Sequence, residues 1–274
     1  MPSPRLRPWS GRPTTPRERV TEPTLVVVPD AAAAGTAAAG IVTDVLARAA
    51  TARGRADVAT TGGSTPAAIY RALAAAPLRD RMPWARTQVW WGDDRFVPRE
   101  HELSNVKPLD DVLLRDGTAP LPPANLHPFP VARTLAIGED EAWCAAELAS
   151  ELHASEIAVE DGWPVFDLVL LGVGPDGHIL SVFPGSATLE SRSWAVAVPA
   201  PEHIEPHVAR VTLNPRIVTV AREVLVVATG QNKAAVLRTI LQGERDEARL
   251  PAQLARHDRA TWILDEAAAS ALDR

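Results

Sequence analysis

A chain of 274 residues, 46% hydrophobic and 23% charged, is long enough to bury a substantial core in one large or two small globular units. Its net charge of −6 argues against the extended cationic face that nucleic-acid backbones require, and no apolar run is long enough to mark a membrane span. The single cysteine, Cys144, excludes an intrachain disulfide and a cysteine metal cluster, which fits a reducing, cytoplasmic compartment. The opening "MPSPRLRPWSGRPTTPRERV" lacks the apolar stretch of a signal peptide, so residues 1–22 read as a disordered Pro/Arg-rich leader and residues 23–274 as one α/β domain.

From there short apolar runs alternate with Ala-rich helical segments. "TLVVVPD" reads as a buried strand and "AAAAGTAAAGIVTDVLARAA" as a helix. "ADVATTGG" is the next strand, followed by "STPAAIYRALAAA", a helix capped by Ser64 or Thr65 with Pro66 in its first turn. "TQVWWGDD" is a third strand with an acidic end. "NVKPLDDVLL" and "GEDEAWCAAELASELHASEI" read as helices joined over the surface by the linker "APLPPANLHPFP". "FDLVLLGVG" is a buried strand, and "SWAVAVPA", "HVARVTLN" and "EVLVVATG" are strands of which some, between Trp194 and Thr229, form a small antiparallel addition. "QNKAAVLRTILQG" is helical, and "RATWILDEAAASAL" gives a last strand and a closing helix. Strands alternating with helices predict an α/β fold, a doubly wound and mostly parallel sheet flanked by helices.

Four stretches carry chemistry. "TTGGSTP" is a strand-to-helix turn whose Gly62, Gly63, Ser64 and Thr65 offer backbone N–H groups and hydroxyls at a helix N-terminus. It reads as a phosphate cradle or as a tight, well-capped helix start; it lacks the lysine of a P-loop and is no dinucleotide fingerprint. "WWGDDRFVP" puts Asp93, Asp94 and Arg95 at a strand end, with Arg95 either in a surface ion pair or gripping a phosphate. "LLGVGPDGHILSVFPG" places Asp176, Gly177 and His178 past the C-terminal end of a buried strand, where open α/β sheets bind ligands. His178 is there as a packed residue or as a catalytic one. "ARVTLNP" and "VVATGQNKAAVL" add Arg210 and Lys233; the lysine faces either a bound anion or solvent. Together these point to a phosphorylated small molecule, with a neutral imidazole suited to activating water. Cys144, amid helical spacing, reads as a small buried apolar group.

In order and composition, "TTGGSTP", "WWGDDRFVPREHELSN", "LLGVGPDGHILSVFPG" and "RVTLNPRIVTVAREVLVVATGQNKAAVL" resemble the 6-phosphogluconolactonase family, in the group that includes the glucosamine-6-phosphate deaminases. The resemblance runs from about Leu25 to the C-terminal segment. Arg95 matches the lactonase pattern where deaminases carry tyrosine, Phe183 stands where deaminases carry a ring-opening glutamate, and Arg210 in "RVT" is again lactonase-like. The departure is Asp94, one methylene shorter than the usual glutamate. The resemblance implies hydrolysis of 6-phospho-D-glucono-1,5-lactone to 6-phosphogluconate in the oxidative pentose phosphate pathway, with His178 as general base and Asp176 shaping the loop or orienting it. Gly62, Gly63, Ser64, Thr65, Asp93, Asp94, Arg95, Gly177, Arg210 and Lys233 would bind the sugar phosphate. It implies no metal, no organic cofactor, no nucleic-acid or membrane partner and no obligate protein partner. Its rivals are an amino-sugar-phosphate deaminase and a non-catalytic sugar-phosphate sensor.

Overall fold

Strand β1 (Thr24–Val28) leads into helix α1 (Ala31–Arg53), which starts where the Asp30 carboxylate accepts the Ala33 N–H at 2.8 Å. A computed structural model describes residues 22–273; apart from Glu22, the expected leader lies outside the described residues. One stripe of α1, from Ala34 and Ala38 through Val42, Val45 and Leu46 to Ala49 and Ala50, is buried, because small side chains let the helix lie close to the sheet. Strand β2 (Ala56–Thr60) is buried throughout and is followed by α2 (Ser64–Leu73) and the short α3 (Leu78–Arg81). Strand β3 (Thr87–Trp91) precedes β4 (Asp93–Arg95), and a single turn, α4 (Lys107–Leu109), precedes β5 (Leu126–His127). After α5 (Val131–Ile137) and α6 (Glu141–Ala154), β6 (Ala158–Glu160) and β7 (Trp163–Val165) form a small hairpin. Then come β8 (Leu168–Leu171), β9 (Ala195–Val198), β10 (Arg210–Leu213), α7 (Arg216–Val220), β11 (Glu223–Ala228), α8 (Ala234–Gln242) and β12 (Ala260–Asp265).

The main sheet has seven strands in the order β1-β12-β11-β8-β2-β3-β5, all parallel. From β2 the chain winds outward through β3 to β5, returns to β8 beside β2, and winds the other way through β11 and β12. Loops after β2 and β8 therefore diverge, which opens a crevice at the carboxyl ends of the strands. The near-continuous Val/Leu/Ala runs of β2, β8 and β11 follow from burial on both faces. Buried tryptophans find partners: Trp90 Nε1 donates to Asp57 Oδ1 at 3.1 Å and Trp91 Nε1 to the Asn105 carbonyl at 3.0 Å.

The α/β expectation holds, with local corrections. The stretch "TQVWWGDD" is two strands, for the chain leaves the parallel sheet at Gly92, whose N–H donates to Thr60 O and whose carbonyl accepts from Leu213, and β4 joins a second sheet. That antiparallel sheet has the order β4-β10-β9, so β11 belongs instead to the parallel sheet, where its apolar run is covered on both sides. The expected linker contributes the edge strand β5. "NVKPLDDVLL" is helical only as α4 and a widened turn over Asp110–Leu114, in which Arg115 N–H reaches Asp110 O. The closing helix does not form: after β12 the described chain makes successive turns, the first held where Asp265 Oδ1 accepts the Ala268 N–H at 2.8 Å.

Candidate active site

The turn from β2 to α2 lies against Asn105. A Cβ on Gly62 would fall 1.8 Å from Asn105 Oδ1, so only glycine fits, and Gly63 carries the turn at φ 95°. Asn105 is fixed by its N–H to Asp94 Oδ1 (2.7 Å) and by its Nδ2 to the carbonyl (2.9 Å) and Oδ1 (3.1 Å) of Asp93. Because both Asp93 atoms only accept, the amide orientation is set, and Oδ1 is turned toward Gly62, buried and without a partner among the described residues.

Two arginines sit side by side on the neighbouring wall. Antiparallel pairing of β4 with β10 makes Arg95 and Arg210 register partners. Arg95 Nη1 donates to Leu103 O at 2.9 Å and Arg210 Nη2 to Pro206 O at 3.1 Å, while the Nε of each is buried with no partner among the described residues. Burial and then the charge of Arg95 pull the Arg210 pKa down, against the attraction of Asp93 and Asp176. The Arg210 guanidinium carbon stands 5.2 Å from the centre of the Phe183 ring. Lys233, at the start of α8, donates through Nζ to the Val173 carbonyl, and burial lowers its pKa. A wall of donors with too few acceptors is a site for an anion.

The loop after β8 supplies the imidazole. His178 Nδ1 and Asp176 Oδ1 are 2.5 Å apart, and the His178 N–H reaches the same oxygen at 3.2 Å. The ring lies directly over Gly174, where a Cβ would be 2.0 Å from His178 Nδ1. With Nδ1–H given to the carboxylate, Nε2 is the basic nitrogen and has no protein partner among the described residues. Burial alone would raise the Asp176 pKa; the hydrogen bond and charge of His178, with a second hydrogen bond from His203 Nε2 to Oδ2 (3.0 Å), outweigh it and hold the carboxyl well below its usual range. Ser181 Oγ ties this loop to β4 by donating to Asp93 Oδ2 at 2.6 Å.

A cleft of about 260 Å³ brings together Gly62, Gly63, Thr65, Asp93, Arg95, His178, Arg210 and Lys233 from separate stretches of the chain. Ser64 contributes the first residue of α2, and Asp176 stands behind His178. Asp94 does not line the cleft: it is buried, its Oδ1 accepting from Arg95 and Asn105 N–H groups. Gly177, at φ 86°, faces Leu250 away from it. Sequence reasoning missed Asn105, although "HELSN" ends on it, and also Ser181, His203, Ile204 and Glu205. His203 and its neighbours lie in an irregular segment with no periodicity to single them out. Among the described residues no cluster of three His, Cys, Asp or Glu side chains forms a metal centre. Cys144 is buried on α6 and its thiol is pushed up to about 11, which leaves it no nucleophilic role.

This architecture has known counterparts. A family model described as glucosamine-6-phosphate isomerases/6-phosphogluconolactonase matches residues 29–263. The chain is 36% identical over 258 residues to the 6-phosphogluconolactonase of Streptomyces coelicolor, covering 92% of this chain and 95% of that protein. It is 37% identical over 226 residues to the 6-phosphogluconolactonase of Rattus norvegicus, covering 80% and 82%. The solved structure of the 6-phosphogluconolactonase from Trypanosoma brucei superposes with a TM-score of 0.79 at 28% identity, covering 92% of this chain and all of that one.

Proposed function

Since the chain belongs to the 6-phosphogluconolactonase family, within the glucosamine-6-phosphate isomerase group, we propose that His178 is the general base with which it hydrolyses its lactone. The activity is that of a 6-phosphogluconolactonase, a lactone hydrolase of the pentose phosphate pathway. The substrate is a sugar-phosphate lactone, read here as 6-phospho-D-glucono-1,5-lactone.

Nε2 of His178 takes a proton from water as the water oxygen adds to the lactone carbonyl carbon. Asp176, already hydrogen-bonded to Nδ1, stabilises the imidazolium that results. When the tetrahedral intermediate collapses, the bond from the carbonyl carbon to the ring oxygen breaks, and the imidazolium returns its proton to that oxygen. The product is the open-chain acid. Arg95, Arg210, Lys233 and the N–H groups of the Gly62–Thr65 turn hold the phosphate and so position the ring over His178. Donors of the glycine turns stabilise the oxyanion. Asp93 and Asp94 support this wall through Asn105 and Ser181. Residues 23–274 act as one catalytic domain. No helix among the described residues is long and apolar enough to cross a membrane; the single Cys144, with no second cysteine to pair with, fits the reducing cytoplasm in which we place the reaction.

The observation that carries the reading is the Asp176-bound His178 opening into the same cleft as the Arg95–Arg210 pair. A deaminase reading meets Phe183, whose ring lies 4.8 Å from the His178 ring where that chemistry needs a carboxylate. The test is hydrolysis of freshly generated lactone, background subtracted, by wild type and His178→Asn, with 6-phosphogluconate binding as the control for an intact site. Loss of most of the catalysed rate with binding retained supports the base. A variant as fast as wild type removes His178 from the role, and binding without turnover by the wild type makes the protein a sensor.

A further inference from the structure

Asp176 accepts from two imidazoles. His178 Nδ1 takes one oxygen, and His203 Nε2 takes the other at 3.0 Å from the far side. His203 belongs to the segment between β9 and β10, residues 199–209, whose Ile204 and Glu205 form a wall of the cleft. That segment is fastened at Arg210 Nη2 to Pro206 O (3.1 Å), at His207 Nδ1 to Pro201 O (2.7 Å), and through His203 to the catalytic loop. Although half exposed, the His203 ring has a second fixed contact, edge-on to Phe183 with centroids 5.4 Å apart and planes at 90°. Phe183 in turn packs on His178. Carboxylate and phenyl ring thus both lie between the two histidines.

We propose that His203 is a positioning residue for the lactonase reaction: its Nε2–H on Asp176 Oδ2 fixes the plane and the charge of the carboxylate that orients His178. The proposal rests on His178 being the base. Because the Asp176 carboxyl is held far below its usual range, it does not pick up a proton between the rings; His203 acts by geometry and field, not as a proton wire. A carboxylate held at one oxygen swings about its bond to the chain. Held at both, it presents a single lone-pair direction to Nδ1. The titratable group in contact with His203 is Asp176, which in turn faces His178 and Arg210; Glu202, Glu205 and His207 are its neighbours along its own segment.

Steady-state kinetics on the full chain, as a function of pH, test it with His203→Ala and His203→Gln. His203→Ala lowers kcat by about tenfold with KM little changed, as losing a supporting hydrogen bond to a catalytic group does. The acid limb of kcat/KM moves to higher pH, because the Asp176 charge then acts undivided on His178. His203→Gln keeps an N–H donor and recovers most of kcat. The proposal is overturned if His203→Ala raises KM alone, which makes His203 a pin for the cleft wall, or if rate and profile stay those of wild type. Unchanged circular dichroism and 6-phosphogluconate binding report that each variant is folded. His178→Asn in the same assay separates the two readings: if it stays active the base assignment falls, and if it is inactive while His203→Ala matches wild type only the positioning role falls.

Discussion

Arg95 and Arg210 occupy directly opposed positions on antiparallel strands, two cations paired in register with the Nε of each buried and without a partner among the described residues. Opposed like charges on neighbouring strands are destabilising, and burial adds a desolvation cost. On the proposed reading, a dianion bound between the guanidiniums would offset that cost.

Replacing either arginine by methionine removes charged hydrogen bonds worth about 1.5–3 kcal/mol, so KM for the lactone rises roughly ten- to a hundredfold while kcat falls much less. Inorganic phosphate at about a hundred times its Kd stabilises the wild type by about 2.7 kcal/mol. Thermal melts of Arg95→Met/Arg210→Met show no such gain and a ligand-free Tm at or above that of wild type. A double variant still stabilised by phosphate would place the anion elsewhere.

Gly174→Ala puts a methyl group 2.0 Å from His178 Nδ1 and 2.7 Å from Asp176 Oδ1, so the ring must leave its position. An ångström of misplacement costs on the order of a hundredfold in rate. Lactonase assays show kcat falling by at least that much, with phosphate-dependent stabilisation retained because the Arg pair is untouched.

Asp94 gives the pH dependence a sign. Burial, opposed by the N–H bonds of Asn105 and Arg95, pushes its carboxyl up to about 7, above the ~3.9 of an unfolded aspartate. The native state thus holds this proton more tightly, so the stabilisation is complete below about pH 4 and is lost as pH rises through 7. Three pKa steps correspond to something on the order of 4 kcal/mol. Asp94→Asn keeps an acceptor for both N–H groups and does not titrate. Urea midpoints of variant minus wild type should climb between pH 4 and pH 8; a constant difference would show that Asp94 is ionised throughout.

At the opposite end of the sheet the buried Asp167 accepts the Asp57 N–H at 2.9 Å and pairs with Arg53 at 2.5 Å and Arg222 at 3.2 Å. Asp167→Ala strands a buried N–H and removes two ion pairs to half-exposed arginines, a loss of about 1–3 kcal/mol carried mainly by the orphaned N–H. Denaturant unfolding shows it, and kcat stays near wild type because the cleft lies at the other ends of the strands.

Among these features, the strand-end glycine turns were legible in the sequence. "TTGGSTP" and "GVGPDGH" announce themselves because glycine, proline and helix-capping residues act over a few residues, and apolar runs bounded by them mark buried strands. The Asp-Gly-His spacing likewise put a histidine past a strand end, and its ring does open into the cleft. The closing Ala-rich segment misled, since composition favours a helix there while the chain makes successive turns, the first capped by Asp265.

Tertiary structure alone decided what those turns face. That β2 and β8 are neighbours, that the chain changes sheets at Gly92, and that Arg95 meets Arg210 all follow from strand pairing between residues far apart in sequence, which local propensity does not encode. The same holds for Asn105 against Gly62 and for His203 behind Asp176: each is an ordinary polar residue in irregular chain until packing brings its partner within hydrogen-bond reach. The sequence by itself determined the family, the parallel α/β architecture and most of the candidate residues that line the cleft. Register and loop packing determined their geometry, because non-local contacts arise only when the whole sheet is assembled.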